Sequence, residues 1–349
     1  MNTKNALRNC LLLLFSSLPT FALHWEPINP HRYEKMLGVG INVNWVNFAK
    51  LRKAYEHAKE LNISIPQRFK ERGFDTVRIR VKMYPLDEYL PKIGKTYGEY
   101  IREVINDSLK AGLIPVVTLV ARDFRDHPSE ETLRETVQWW KTFAENFKDL
   151  PYEVSYDLII ETSGAIRRKS DLLNRFYKEA LSAIREVDRG RIVFFTPPNI
   201  SNPKNLPQLW LPENDPYVMV EWHFFAAGPS KTNKNKKWTT GTPQEKRAIL
   251  KKIRFAKKWC KKHHRACWVG AWMPTNYNKA NTDRYFFDGA PAGGYYDWNT
   301  VLEFADFMAS SLKRYKIPYA VNADSKYFDY KTYTWYQSVS QLVDIILQK

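Results

Sequence analysis

The stretch IREVINDSLKAGLIPVVTLV at residues 101–120 carries the pattern that decides the fold. Its first half has one apolar stripe at helical spacing, made of Ile101, Val104, Ile105 and Leu109. Gly112 follows at a position where a helix commonly ends and the chain turns back. The apolar run Ile114–Val120 then predicts a buried strand. The stretch therefore predicts one helix-then-strand unit of a parallel α/β protein.

The same alternation extends over most of the chain. Eight apolar runs predict strands, at Leu37–Val43, Thr76–Val81, Ile114–Val120, Tyr156–Ile160, Ile192–Phe195, Tyr217–Trp222, Cys267–Gly270 and Tyr319–Val321. Residues 196–216 are rich in Pro and Asn, so we expect the helix there to be short or missing. Parallel strands joined by helical crossovers close most economically into a barrel. We therefore predict a single (β/α)8 TIM barrel over residues 23–349.

The composition limits the classes of partner. With 44% hydrophobic and 15% aromatic residues among 349, the chain is globular rather than disordered. The net charge of +17 favours anionic partners, acidic glycans among them. The sequence has no zinc-finger spacing, RNA-binding aromatic signature or basic arm, so we expect no nucleic-acid partner. It also has no metal-ligand cluster, phosphate loop or nucleotide fingerprint, so we expect no metal and no cofactor.

The first 22 residues have the pattern of a secretory signal peptide. Lys4 and Arg8 precede a short apolar run at residues 11–15, and Ala22 is a small residue at a plausible cleavage point. That run is too short to cross a membrane, and the chain has no other apolar stretch of about 18 residues. We expect a secreted or periplasmic protein that does not span the membrane.

Two cysteines, Cys260 and Cys267, remain beyond the predicted signal peptide. In an oxidising compartment they form an even pair, so a disulfide between the end of a helix and the next strand is one interpretation. Two buried free thiols are the other. Neighbouring His263 and His264 do not complete a zinc ligand set.

Several segments occur in an order and at a spacing that resemble a known family. They are LGVGIN (37–42), GFDTVRI (73–79), AGLIPVV (111–117), AIREVDRGRIV (183–193) and EWHFF (221–225). Together the segments resemble glycoside hydrolase family 5, the cellulase-like retaining glycosidases, from about residue 33 to residue 347. The resemblance implies a barrel that acts on, or recognises, a β-linked polysaccharide or oligosaccharide.

The resemblance also assigns the two catalytic positions. Glu161, in YDLIIETSG (156–164), stands where the family has its general acid/base, although Ile160 replaces the Asn that normally precedes it. In CWVGAWM (267–273), Ala271 stands at the position of the nucleophile. Retaining hydrolysis needs two carboxyl groups about 5 to 5.5 Å apart, and a methyl group cannot attack an anomeric carbon. We therefore expect a non-catalytic or very weakly active protein.

Further residues at the predicted strand ends are expected to contact a glycan. They are Arg78, His223, Trp45, Trp272, Phe225 and Asn322. Arg78 supports the nucleophile in the family. Without that carboxylate it is expected to be a bare cation at the barrel mouth, which binds an acidic sugar or pairs with another acid.

Two other functions remain open at this point. An endoglucanase-like enzyme would use Glu161 with a relocated carboxylate, for which the candidates are Asp123, Asp126, Asp288, Asp297 and Asp324. An inverting arrangement would need the two carboxyl groups about 6.5 to 9.5 Å apart. A structural envelope protein without sugar contact is the second alternative. The long segment 274–297 follows the seventh predicted strand, and we expect it to cover the cleft.

Overall fold

The computed structural model describes residues 23–224, 238–274 and 298–349, and it confirms a closed barrel of eight parallel strands. The barrel strands are β1 (Val39–Val43), β2 (Thr76–Lys82), β3 (Ile114–Val120), β4 (Ser155–Asp157), β5 (Val193–Phe195), β6 (Val218–Phe224), β7 (Cys267–Trp272) and β8 (Tyr319–Val321). Neighbours around the barrel follow chain order, and β1 pairs with β8 to close it. Strands β6 and β7 extend two residues beyond their predicted ends.

Helices separate most of the strands. They are α1 (Pro30–Met36), α2 (Ala49–Glu60), α3 (Ile65–Arg72), α4 (Tyr97–Lys110), α5 (Glu130–Phe147), α6 (Ser170–Val187), α7 (Pro243–Lys262), α8 (Trp298–Arg314) and α9 (Ser340–Leu347). The stripe predicted in α4 is buried, and Gly112 has a φ of 75° just beyond the helix end. Between β5 and β6 the chain forms only short helical turns, as predicted, at Pro198–Ser201 and Pro203–Gln208.

The N-terminal end of the barrel is filled by apolar side chains. This inner cluster consists of Ile28, Tyr33, Leu37, Ile114, Val116, Ile192, Phe194, Met219, Ala266, Trp268 and Ala320. Helix α1 lies against this end, where the Tyr33 hydroxyl donates to the Glu153 carbonyl oxygen at 2.7 Å and lies 2.8 Å from Ser155 Oγ. A second, larger apolar cluster fills the space between the strands and the helices. Polar chemistry inside the lumen is therefore restricted to its C-terminal half.

Cys260 and Cys267 are both buried free thiols in the structure. They lie at the end of α7 and the start of β7, and the disulfide that was one of the two interpretations is not formed. A hydrogen bond to Cys267, together with burial, raises the pKa of the Cys260 thiol well above its ordinary value. The Cys260 thiol is therefore neutral where it contacts Cys267. Among the described residues, no helix has the length and apolar character needed to cross a membrane.

Arg191, just before β5, holds two loops together at the N-terminal end of the barrel. Its guanidinium is fully buried and pairs with Asp188 at 2.9 Å. It also donates to the carbonyl oxygens of Pro151 at 2.6 Å, Leu150 at 2.8 Å and Val154 at 3.1 Å. A planar fork of donors is needed to reach all of these acceptors at once.

We expect Arg191→Lys to lower the free energy of unfolding by about 2–4 kcal/mol, because an ammonium keeps the charge but leaves buried carbonyl oxygens without donors. Urea unfolding of the purified variants measures this. Arg189→Lys, an exposed control two residues away, is expected to change the free energy by no more than about 0.5 kcal/mol. Equal effects of the two changes would contradict this role of Arg191.

Candidate active site

Arg78 is the cation at the centre of the lumen. It lies on β2 with no exposed surface. Its Nε donates to Oδ2 of Asp157 on β4 at 2.8 Å, and its Nη2 lies 2.9 Å from Oε1 of Glu221 on β6. Of the two roles expected for Arg78, the structure therefore shows pairing with other acids. It is not a bare cation at the mouth, because two buried carboxylates surround it and leave no face for a glycan.

His223 connects this buried ion group to the cleft. Its Nε2 lies 2.6 Å from Glu221 Oε1, and its Nδ1 lies 3.3 Å from Glu161 Oε2. The Glu161 side chain is 24% exposed, whereas the side chains of His223 and Glu221 are 2% and 0% exposed. Glu161 is therefore the member of this group that reaches the cleft.

The charges in this group shift one another's pKa values. Burial acts to lower the pKa of His223, but Glu221 and Glu161 outweigh it and raise the pKa above 6.5. Burial likewise acts to raise the pKa of Glu161, but its hydrogen bond to His223 and the charge of the imidazolium lower the pKa below 4.5. Glu161 is thus ionised at neutral pH. A general acid works best with a raised pKa, which this carboxyl does not have.

Ala271 lies in an irregular part of β7. The pairing with β6 moves from Val269 opposite Trp222 to Ala271 opposite His223, which leaves Gly270 as an extra residue. This is a β-bulge, a feature that redirects side chains beside active sites. A Cβ at Gly270 would lie 1.9 Å from Glu221 Oε1, so only glycine fits there. Ala271 is 1% exposed and belongs to neither apolar cluster, and its nearest cross-strand neighbour is His223.

The aromatic residues expected to stack on a sugar lie elsewhere. Trp45 has no exposed surface, packs on Tyr55 and Phe69, and donates its Nε1 hydrogen to the Tyr330 hydroxyl at 2.5 Å. Trp272 is equally buried. The reason is strand geometry: Asn44 occupies the lumen face of its strand, so Trp45 points toward the helices, and the bulge turns Trp272 outward against α8. Phe225 lies outside the described residues.

Two of the three described candidates for a relocated carboxylate are engaged in other contacts. Asp126 pairs with Arg125 at 2.7 Å. Asp324 is fully buried and accepts hydrogen bonds from the Asn44 backbone N–H at 3.1 Å and the Tyr330 hydroxyl at 2.5 Å. Asp123 is exposed in the short helix Arg122–Asp126. Asp288 and Asp297 lie outside the described residues, as does most of segment 274–297.

Asn322, at the end of β8, is partly exposed at the mouth of the barrel. Its side-chain oxygen accepts a hydrogen bond from Nη2 of Arg80 on β2. In the described part of the chain, no three His, Cys, Asp or Glu side chains come together as a metal-binding group.

A family model for cellulase, glycosyl hydrolase family 5, matches residues 39–298. The chain belongs to glycosyl hydrolase family 5. Among solved structures, endoglucanase Cel5A from Thermotoga maritima in complex with cellobiose is similar, with 20% identity, 90% of this chain and 99% of that chain covered, and a TM-score of 0.69. No curated protein sequence matches.

Two further solved structures share the fold. The cellulose synthase subunit Z of Clostridioides difficile is 17% identical over 88% of this chain and 99% of its own, with a TM-score of 0.66. A GH5-4 broad specificity endoglucanase from Clostridium cellulovorans is 18% identical over 91% of this chain and 96% of its own, with a TM-score of 0.68. At these identities the likeness establishes the barrel fold and nothing finer.

Three lumen residues of this family 5 chain are missing from the residues proposed from sequence. They are Asp157, Glu221 and Arg80. Strand alternation is the signal for two of them. Glu221 lies two residues before His223, and Arg80 lies two residues after Arg78, so each shares a strand face with a predicted site residue. That alternation, applied to both neighbours of each predicted residue, would have found two of the three.

We expect Arg78→Met to lower the free energy of unfolding by about 3–5 kcal/mol, because Asp157 and Glu221 then remain buried without a cation. Arg175→Met is the matched control, since Arg175 forms an exposed pair with Glu130 at 2.7 Å, and it should cost about 1 kcal/mol at most. Denaturant titration of both variants gives the comparison. A loss at Arg78 no larger than the loss at Arg175 would show that the buried ions do not depend on one another.

The pKa shifts predict a pH dependence of stability. The raised pKa of His223 stabilises the fold fully below 6.5, and this contribution is lost as pH rises through the folded-state value. The lowered pKa of Glu161 stabilises the fold above 4.5 and is lost as pH falls. We expect wild type to exceed His223→Gln in unfolding free energy most strongly between these values. Denaturation at about pH 5.5, 7.5 and 9 tests this, and a pH-independent difference would refute it.

Proposed function

We propose that this family 5 chain binds a β-linked glycan at the C-terminal end of its barrel and is non-catalytic or very weakly catalytic. The observation that carries the proposal is that residue 271, at the β7 bulge and in register with His223, is an alanine and has no carboxyl group. Family resemblance gives that position to the nucleophile.

The remaining acids support the same proposal. Glu221 and Asp157 lie near the bulge, but they are fully buried and paired with Arg78. Neither can reach an anomeric carbon in the cleft. Glu161 is partly exposed but ionised, so it lacks the proton that a general acid must supply. Retaining hydrolysis would need both a nucleophile and a protonated acid.

The class of glycan is proposed from family membership and from similar structures. Thermotoga maritima Cel5A has been solved with cellobiose and with mannotriose, which are short β-linked glucan and mannan fragments. We propose β-glucans and β-mannans as the first class of glycan to test. We also propose export from the cytoplasm, to the periplasm or beyond, from the signal-peptide pattern of residues 1–22, which lie outside the described residues.

Azide tests the assignment of Ala271 directly. The substrate is an aryl β-cellobioside with a dinitrophenyl leaving group. The protein offers it no nucleophile at residue 271, and azide is small enough to attack from the side of Ala271. The azide nitrogen forms a bond to the anomeric carbon while the bond to the aryl oxygen breaks, giving an α-glycosyl azide and dinitrophenolate. We expect azide to raise dinitrophenolate release at least about tenfold, equivalent to about 1.4 kcal/mol of barrier.

Ala271→Leu, which fills that space, is the matched control and should abolish the azide effect. Binding is followed separately by tryptophan fluorescence with cello- and manno-oligosaccharides. Hydrolysis of unmodified β-glucan without azide, if abolished by Glu161→Gln, would overturn the non-catalytic assignment and favour a relocated carboxylate. No binding of any β-linked oligosaccharide would overturn glycan recognition and favour a structural envelope protein.

A further inference from the structure

Strand β2 carries three cations on one face. Arg78, Arg80 and Lys82 alternate along TVRIRVK (76–82), so they share one face of the strand, from the buried centre of the barrel toward the mouth. Arg78 has no exposed surface, whereas Arg80 and Lys82 are partly exposed. The strand therefore has one cation, Arg78, that is neutralised by buried acids, and two partly exposed cations, Arg80 and Lys82, nearer the mouth.

Arg80 has only neutral hydrogen-bond partners. Its Nη1 donates to Asn44 Oδ1 at 3.3 Å and its Nη2 donates to Asn322 Oδ1. Within the described ranges, no carboxylate lies within 4.0 Å of its guanidinium. Burial, together with repulsion from Arg78, lowers the pKa of Arg80 to about 10, although the charges of Asp324 and Glu161 act to raise it. A guanidinium in this setting gains strongly from a carboxylate, whose two oxygens match its fork of donors.

Two acids, Glu161 and Asp324, act on Arg80 through their charges, and both have other partners. Glu161 Oε2 lies 3.3 Å from His223 Nδ1. Asp324 accepts its hydrogen bonds from Asn44 and Tyr330. Asp157 and Glu221 form salt bridges with Arg78. Lys82 lies over the ring of Tyr84 at 5.3 Å and donates to its hydroxyl at 3.2 Å, again a neutral partner. The β2 side of the mouth thus has two cations and no described carboxylate paired with either.

We propose that the glycan recognised by this cleft carries carboxylate groups, as in a uronic-acid-containing β-linked polysaccharide, and that Arg80 and Lys82 bind the carboxylate. This inference rests on the proposed glycan-binding function and narrows it to an anionic substrate class. Arg80 would bind through its two Nη groups, and the amide groups of Asn44 and Asn322 hold the guanidinium in place. The overall charge of +17 would speed the encounter with such a polymer.

A matched ligand pair tests the inference. Cello-oligosaccharides and the same oligosaccharides oxidised at C6 to glucuronate differ in the carboxylate and share length and linkage. We expect wild type to bind the oxidised form about tenfold more tightly by calorimetry at low salt, and Arg80→Gln to lose that preference, measured as the ratio of its affinities for the two forms. Lys82→Gln should reduce the preference in part. Arg175→Gln, an equal change of charge on α6, should leave it unchanged.

The outcomes separate this inference from the proposed function. Equal affinity of wild type for the two oligosaccharides overturns the carboxylate preference and leaves glycan binding intact. Binding of neither form overturns the proposed function itself. The assignment to Arg80 is overturned if Arg80→Gln and Arg175→Gln reduce the preference equally. It is also overturned if polyglutamate competes with the oxidised form equally in wild type and in Arg80→Gln. Either result would show attraction by the net charge alone.

Discussion

A guanidinium that has no contact with solvent determines how the lumen of this barrel is arranged. Burying Arg78 is tolerable only with opposite charge beside it, because an unpaired ion in the interior costs several kcal/mol. Asp157 and Glu221 supply that charge from two other strands. The three side chains therefore join β2, β4 and β6 across the lumen, and they are required by the fold whether or not any reaction occurs at the mouth.

The buried ion group also affects Glu161, the partly exposed carboxylate. Glu221 raises the pKa of His223, and His223 in turn lowers the pKa of Glu161. The same ion group also restricts β7, because the Glu221 carboxylate occupies the space in which any side chain at Gly270 would lie. The buried Glu221 therefore requires glycine at the bulge that precedes Ala271. Ala271 has no carboxylate, and a carboxylate at that position would raise the pKa of Glu161 toward the value that an acid catalyst uses.

Much of the fold can be predicted from the sequence, because the spacing of apolar residues along the chain indicates which side of each helix or strand is buried. The α4 stripe and the eight apolar runs predict the barrel. The site is predicted less completely, for two physical reasons. Trp45 and Trp272 were assigned by nearness to strand ends, but strand alternation and the bulge turn them into the helix layer. Arg78 was expected to lack a partner, since pairing across the lumen joins residues 79 and 143 positions apart, a relation that no local pattern contains.

The closed N-terminal end of the barrel has a mechanical consequence. Helix α1 and the apolar cluster around Trp268 leave no passage through the molecule, so a long polymer cannot thread it. In the described part of the chain, such a polymer can reach the lumen from the C-terminal side alone, so it would enter and leave by that side. Successive sugar units then meet the strand ends in turn along a line over the rim, and the chain can be recognised at an internal position without a free end.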